Sequence, residues 1–463
     1  MTAGHDVFSA RNIAAAVLIA GAAASLVVNY PGHIEFDGIM QMAEGRTGIY
    51  GNWHPPVMSW LLGISEAARG DAWLFVLFDT LMAFGALLSL LWLVEKPRAP
   101  SIGVALLCAA LPQFFLFGAI VWKDVLFANA LLAGFVFLAH AAARWNRQGV
   151  RLACLAGAAI FIALAVLARQ SGAVVLPCAA VATGLIAAQR NGVRKSLDYG
   201  LGFLIVGGIL CVGANALLQL RASNALGPIE EFEDLELYDL GGMLQKHPDL
   251  PMPILAREAP AMEHALRENG PKLYTPAMHD PLTDPPAIHS LIVASVDAVR
   301  HQWIASVRAY PGLYLSVRAA DFDWLFFSQH PDRCLTYTLG VDGPAAQMKM
   351  LKLPRRYDNR DTWLEENYAE PLIGTPAFSH PFFTLIAIVC LVLLLWRRRP
   401  ADLALAAMLA AAMLYAASYF IIAVACQYRY LFALDTSALA ALFYLSMGWV
   451  GFSERTRRSK ASP

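Results

Sequence analysis

The chain alternates long apolar runs with short polar breaks. Ten runs approach the ~20 residues that a helix needs to cross a bilayer. They cover approximately 12–29, 72–94, 101–119, 124–143, 152–168, 172–189, 198–219, 381–396, 402–424 and 431–452. Backbone inside hydrocarbon must be satisfied within its own segment, so each run is predicted to be a helix. The run 55–68 is apolar but short, and follows His54-Pro55-Pro56. It reads as an interfacial helix. The first run shares features with a signal peptide: Arg11 precedes an apolar stretch from Ile13 to Val28 with small residues near its end. It is long enough to span, and no mature soluble domain follows it, so it is expected as a retained first helix.

Two polar segments interrupt the pattern. The segment 30–71 joins the first two runs, and 220–380 separates seven runs from three. The chain therefore divides into an N-terminal membrane module over 1–219, an outer domain over 220–380 and a C-terminal membrane module over 381–463. Within 289–308, Leu291, Ile292, Val296, Val299, Trp303 and Val307 share one helical face. Aromatics follow at Tyr310, Tyr314, Phe322, Trp324, Phe326 and Phe327. This suits either an amphipathic helix lying on the membrane or the core of a small outer domain. Asp321, Asp323, His330, Asp332 and Arg333 match no metal-ligand spacing, and are expected as a solvated or acceptor-facing surface. No internal repeat is visible.

Composition narrows the class. Hydrophobic residues make up 58% and charged residues 15%, where soluble domains carry about 25% charge. Lys+Arg and Asp+Glu are equal at 35 each. A soluble enzyme, a disulfide scaffold, a disordered regulator and a nucleic-acid binder are all excluded. Cys108, Cys154, Cys178, Cys211 and Cys390 lie in apolar runs and read as small core residues. Cys334 and Cys426 fall outside the runs, and whether they pair is open. With the N-terminus inside, the inner loops hold Lys96, Arg98, Arg144, Arg147, Arg151, Arg190, Arg194, Lys195 and Arg397 to Arg399, and the tail holds Arg455, Arg457, Arg458 and Lys460. The short outer loops hold Lys123, Arg169 and Arg429. This positive-inside bias sets the orientation.

The unusual polar residues then gather at the outer ends of the runs. Glu35 and Asp37 follow the first, His54 opens the interfacial helix, Lys123-Asp124 opens the fourth, Arg169-Gln170 ends the fifth, and Gln427, Arg429 and Tyr430 open the tenth. Charges at such depth are costly and mark sites, so one polar cavity is expected. Glu35 and Asp37 suit a general base for an acceptor, or ligands of a divalent cation, or a solvated turn. Asp124 suits a base, a ligand, an ion pair with a neighbouring span, or an acid favoured by its helix dipole. Lys123 suits a phosphate or snorkelling. Arg169 and Arg429 have no acid beside them in sequence and suit bidentate phosphate contacts, from a substrate or from ordinary headgroups. His54 before two prolines marks a rigid turn or a structural histidine. Asp79 and Asp435 lie inside spans, and Asp435 is close enough to Arg429-Tyr430 to line the same cavity. There is no P-loop, Rossmann glycine pattern or G-x-S-x-G.

This ordered layout resembles the GT-C superfamily of membrane glycosyltransferases, which includes protein O-mannosyltransferases, lipid A aminoarabinose transferases and many uncharacterised bacterial members. Glu35-Phe36-Asp37 stands where the family has its essential outer acid. Trp53-His54-Pro55-Pro56-Val57, Lys123-Asp124, Arg169-Gln170-Ser171-Gly172 and Arg429-Tyr430 follow in the family's order. Tyr310-Pro311-Gly312-Leu313-Tyr314-Leu315 with Arg318, and Tyr238-Asp239-Leu240-Gly241-Gly242, are similar to stretches of the bacterial members. The chain departs from the family in having fewer spans, and in reading Glu-x-Asp rather than Asp-Glu or Asp-x-Asp.

The resemblance implies an all-α polytopic GT-C-like bundle of about ten transmembrane helices, with interfacial helices and a periplasmic domain. It implies transfer of a sugar from a polyprenyl-phosphate donor to a lipid, glycan or protein acceptor, with inversion, at the outer face of a bacterial inner membrane. Asp37 would act as base with Glu35 beside it. Lys123, Arg169 and Arg429 would hold the donor phosphate, with Asp124, Gln170, His54 and Tyr430 in the same substrate-binding set. A divalent cation, Mg or Mn, would sit on Glu35, Asp37 and Asp124 if one is used. Two other classes compete. A lipid or polysaccharide flippase needs charges near the bilayer midplane and broken, repeated helices. A non-catalytic assembly partner would be indifferent to changes at Asp37 and Arg429.

Overall fold

The computed structural model describes residues 9–51, 54–220, 231–283, 285–327 and 330–448. Trp53 and the basic tail from Arg455 lie outside the described residues. Among the described residues, nine helices are long and apolar enough to cross a membrane, or ten if one bent pair counts as a single span. The chain is an all-α, multi-pass membrane protein.

The first helix, α1 (Ala10–Val28), starts at Ser9, whose hydroxyl accepts the Asn12 amide. Two amphipathic helices, α2 (Phe36–Thr47) and α3 (Pro56–Arg69), fill the first polar segment. They pack so closely that a Cβ on Gly45 would lie 2.1 Å from the Ser59 carbonyl oxygen, so the crossing requires glycine there. Helix α4 (Trp73–Leu90) returns through the bundle. The next run was expected as one span over 101–119, and here the structure differs. It is broken into α5 (Pro100–Ala110) and α6 (Pro112–Phe115), with a bend of 58° between Pro100–Ala110 and Pro112–Ala119. Pro112 lacks an amide hydrogen and forces Leu111 into extended backbone, which ends the helix.

Four spans follow: α7 (Lys123–Ala143), α8 (Gln148–Ala168), α9 (Val175–Asn191) and α10 (Arg194–Gln219). Helix α7 is buried along nearly all its length and is the centre of the bundle. Helix α10 buries only Phe203 and Gly207, so its apolar surface faces the bilayer.

A separate helical domain comes next, built from α11 (Glu231–Lys246), α12 (Pro253–Glu258), α13 (Pro260–Leu273), α14 (Asp280–Thr283), α15 (Pro286–Ala309) and α16 (Pro311–Phe327). Its own core contains Leu237, Tyr238, Met243, Leu266, Ile292, Val299 and Val317. Of the two readings of 289–308, this selects the domain core: α15 turns Ile292 and Val299 inward, with Leu291, Trp303 and Val307 packed beside them. The helix kinks at Ser295, whose backbone leaves the helical region. Asp321, expected at a surface, is instead buried in this domain. The Arg318 guanidinium pairs with Asp239 at 2.8 Å and with Asp321, and the Tyr238 and Tyr274 hydroxyls donate to Asp321. Asp332 and Arg333 do lie exposed, and His330 stacks on Trp324.

Two short helices, α17 (Ala345–Leu351) and α18 (Asn359–Leu364), lead to the last three spans, α19 (His380–Arg397), α20 (Pro400–Ile422) and α21 (Phe432–Met447).

The outer segments grip the bundle at two places. His33 and Ile34 lie between residues 119–121 on one side and 340–342 on the other. The His33 amide donates to Ala119 at 2.9 Å, the Val121 amide to His33 at 2.9 Å, the Ile34 amide to Gly340 at 2.9 Å and the Asp342 amide to Ile34 at 3.0 Å. The loop after α20 is held as firmly. Arg318 donates to the Ile421 and Ala423 carbonyls at 2.9 and 2.7 Å, the Tyr428 amide donates to Leu335 at 3.0 Å, and a disulfide joins Cys334 to Cys426. The pairing that the sequence left open is therefore made.

Candidate active site

The candidate residues meet at the end of the bundle where α1 and α20 stop and α7 starts. The first loop is fixed by a neutral histidine. The Gly340 amide donates to His33 Nδ1 at 3.0 Å, so Nε2 carries the proton and donates to Asn29 Oδ1 at 3.0 Å. Burial, and after it the charges of Arg356 and Arg360, push His33 down to about 3. Glu35 then caps α2 in extended backbone, and its carboxylate accepts the Asp37 amide at 3.3 Å. Asp37 sits in the first turn, where the helix dipole favours an anion.

Arg429 comes to these acids from the turn before α21. Its fork donates to Glu35 Oε1 at 3.0 Å and to Asp37 Oδ2 at 2.7 Å, while its Nε lies 3.8 Å from Asp124 Oδ2. The guanidinium is 6% exposed and lies 5.1 Å from the Trp122 ring centre. Trp122 Nε1 donates to Glu35 Oε1 at 3.0 Å, and Gln427 Oε1 accepts from Arg429 Nε at 2.6 Å. Arg169 pairs with Asp124 at 2.7 Å, donates to the Tyr415 hydroxyl at 3.3 Å and to that of Tyr419, and lies 5.2 Å from the Tyr430 ring centre. Tyr430 in turn stacks on Tyr419. Neither arginine stands without an acid, as adjacency in sequence had suggested: each finds one from another segment.

Lys123 Nζ donates to His54 Nδ1 at 3.2 Å, and His54 Nε2 lies 3.9 Å from Asp37 Oδ1. Burial and the Lys123 charge push His54 down to about 3, so it is neutral and accepts from the ammonium. Burial by itself would raise Asp37, but Arg429 and Lys123 outweigh it and hold the carboxyl well below the usual range. Glu35 goes the other way: burial and the adjacent Asp37 charge raise it more than Arg429 lowers it. Asp37 is therefore the ionised acid of the pair, and Glu35 is the one that takes up a proton more readily.

Gln170 stands apart from the charges. With His54 and Pro56 it lines a cavity of about 410 Å³ whose other walls include Val166 and Leu167 of α8 and Val212 and Asn215 of α10. Val212 is 71% exposed on the outside of the bundle. The cavity thus runs from the His54 imidazole to the apolar exterior.

Asp435 does not line this cavity. It is fully buried, and its Oδ2 accepts from His380 Nδ1 at 2.9 Å and from the Tyr428 hydroxyl at 2.6 Å. Asp79 accepts from Asn129 at 2.9 Å inside the bundle. Sequence reasoning placed Gln427 with this group but missed Trp122, Tyr415 and Tyr419. Aromatics in apolar runs are ordinary, and only the i, i+4 spacing of the two tyrosines, which puts both on one face, gave a signal. Glu44 was missed too: it accepts from the Ser59 hydroxyl at 2.6 Å and the Gly51 amide at 3.1 Å, tying α2 to α3 and to the loop that leads to His54.

No protein-family model matches the chain, and no curated protein matches it. Among solved structures it aligns with archaeal oligosaccharyltransferase AglB from Archaeoglobus fulgidus, a complex with an inhibitory peptide and a dolichol-phosphate. The TM-score is 0.41 and the identity 15%, over 96% of this chain and 51% of that one. The chain spans about half the length of that protein.

Proposed function

We propose that this protein is a membrane glycosyltransferase that moves a sugar from a polyprenyl-phosphate carrier to a lipid, glycan or protein acceptor, with inversion, at the periplasmic face of a bacterial inner membrane. One arrangement carries the reading. An ionised aspartate, Asp37, lies among Arg429, Lys123 and His54, and the same His54 borders a cavity reaching the apolar exterior. A lipid-linked phosphate needs both parts: an apolar path for its tail and fixed cations for its head.

In this mechanism the acceptor O–H or N–H gives its proton to Asp37. The acceptor atom bonds to the sugar's anomeric carbon from the face opposite the phosphate. The bond between that carbon and the phosphate oxygen breaks, and its electron pair leaves with the lipid phosphate. Arg429, Arg169 and Lys123 stabilise the charge that develops there, and preorganised cations in a dry site are strong at this task. Gln170 lines the approach, and Tyr430 backs Arg169. The Cys334–Cys426 disulfide lies at the same end as the site. Disulfides persist in oxidising compartments, which supports a site facing outward.

The test is donor turnover. Purified protein is given a panel of polyprenyl-phosphate sugars with candidate acceptors, and free polyprenyl phosphate is followed by mass spectrometry. Release by the wild type, with a loss of at least about a hundredfold in Asp37→Asn, is expected for removal of a general base. Equal release by both proteins would overturn the role of Asp37.

A further inference from the structure

Glu35, Asp37 and Asp124 come from two segments far apart in the chain and converge on one point. Hard oxygen donors grouped in this way are the chemistry of a Mg or Mn site. Most of these oxygens, however, face a cation or a donor, and among the described residues no three His, Cys, Asp or Glu side chains are grouped closely enough to hold a metal ion. Glu35 Oε1 accepts from Arg429 and Trp122, and Glu35 Oε2 accepts the Asp37 amide. Asp37 Oδ2 accepts from Arg429, and Oδ1 faces His54. Asp124 Oδ1 pairs with Arg169, and Oδ2 faces Arg429 Nε. The centre of the group is the Arg429 guanidinium, held from behind by Gln427 and over the face of Trp122.

We infer that Arg429 takes the place of a divalent cation, and that this site works without a metal. A bound divalent ion needs carboxylate oxygens at roughly 2.0–2.6 Å around one centre, and a buried guanidinium stands at that centre. Seating the ion beside Arg429, with Arg169 and Lys123 close by, would also crowd like charge in a buried site. The guanidinium is always charged and presents a planar fork, so it supplies a fixed positive field for a phosphate. It offers no open coordination position. Activation of the acceptor therefore falls to Asp37. This last consequence rests on the transferase reading; the arrangement itself does not.

Mn2+ titration of the chelator-stripped, detergent-purified protein tests it, with free Mn2+ read by electron paramagnetic resonance. The wild type is expected to bind no Mn2+ at this site. Arg429→Ala, which uncovers the carboxylates, is expected to gain one bound Mn2+ per chain and to lose it again when Asp37→Asn is added. Binding of one Mn2+ by the wild type, abolished by Glu35→Gln or Asp37→Asn, would overturn the inference without any need for the Arg429 variant to fold. A folded Arg429→Ala protein that gains no Mn2+ would overturn it as well. Where the wild type turns over, its rate should stay within twofold in EDTA, and a collapse in EDTA restored by Mn2+ counts against the inference. Absence of turnover with every donor counts against the transferase reading alone.

Discussion

His33 and His54 show how single residues fix this site through neutrality. Each is buried, each has a cation nearby, and each is pushed down to about 3. The ordinary value in an unfolded chain is about 6.5. Between those two values the unfolded state binds protons that the folded state refuses, so stability rises with pH there. It is fully present above about 6.5 and is lost as pH falls toward 3, by up to about 1.4 kcal/mol per unit for each histidine. The melting temperature of the purified protein is expected to fall steadily from pH 7 to pH 4, and less steeply in His33→Gln than in the wild type. Parallel curves for the two proteins would show that His33 is not the source. At this scale the sequence displayed the charged members of the site, because charge at the end of an apolar run stands out. It did not display their partners. Arg429 and Asp37 are separated by 392 positions, and no local pattern joins them. Nor did it show that Arg429 would be wedged against Trp122, since a tryptophan beside a span is commonplace.

At the scale of elements, the turn that presents Arg429 is set by the outer domain. Arg318 on α16 reaches out of that domain to the carbonyls of Ile421 and Ala423, at the end of α20, while its other contacts are the buried carboxylates of Asp239 and Asp321. Gly242 lets α11 come this close, because a Cβ there would lie 2.7 Å from the side chains of Tyr274 and Val317. Burial pushes Asp239 up to about 7, against the pull of Arg318, and raises Asp321 as well. Replacing one member of such a group strands the rest. Arg318→Met is expected to cost about 3–5 kcal/mol, because it leaves two carboxylates buried without a counter-charge. Adding Asp239→Asn should recover part of that loss, which a double-mutant cycle on the unfolding transition would measure. Additive losses would place the two residues in separate contacts. The periodicity of 289–308 made α15 legible as a helix but could not tell a membrane face from a domain core, because one apolar stripe serves both. The break at Leu111-Pro112 was written in the proline, yet the apolar run through it hid the bend.

The whole molecule places its charges and its apolar path at the same end of the bundle, the path lying between α3, α8 and α10. Most of this architecture was legible: the spans follow from length and hydropathy, and alternation of direction carries every candidate group to the same end. What hydropathy cannot supply is which spans stand apart, since lipid-facing and helix-facing residues are equally apolar. Helix α10 buries only Phe203 and Gly207, and its exposed Val212 forms the outer wall of the cavity that begins at His54. If a lipid tail lies there, a larger side chain at Val212 obstructs the tail and leaves the reacting groups untouched. Val212→Trp is therefore expected to raise KM for the lipid-linked donor about tenfold, worth about 1.4 kcal/mol of binding, with kcat within twofold. The same variant should bind a short-chain, water-soluble donor as the wild type does. A fall in kcat with KM unchanged would mean that the cavity serves the chemistry and not the tail. An unchanged KM for both donors would move the lipid path to another face of the bundle.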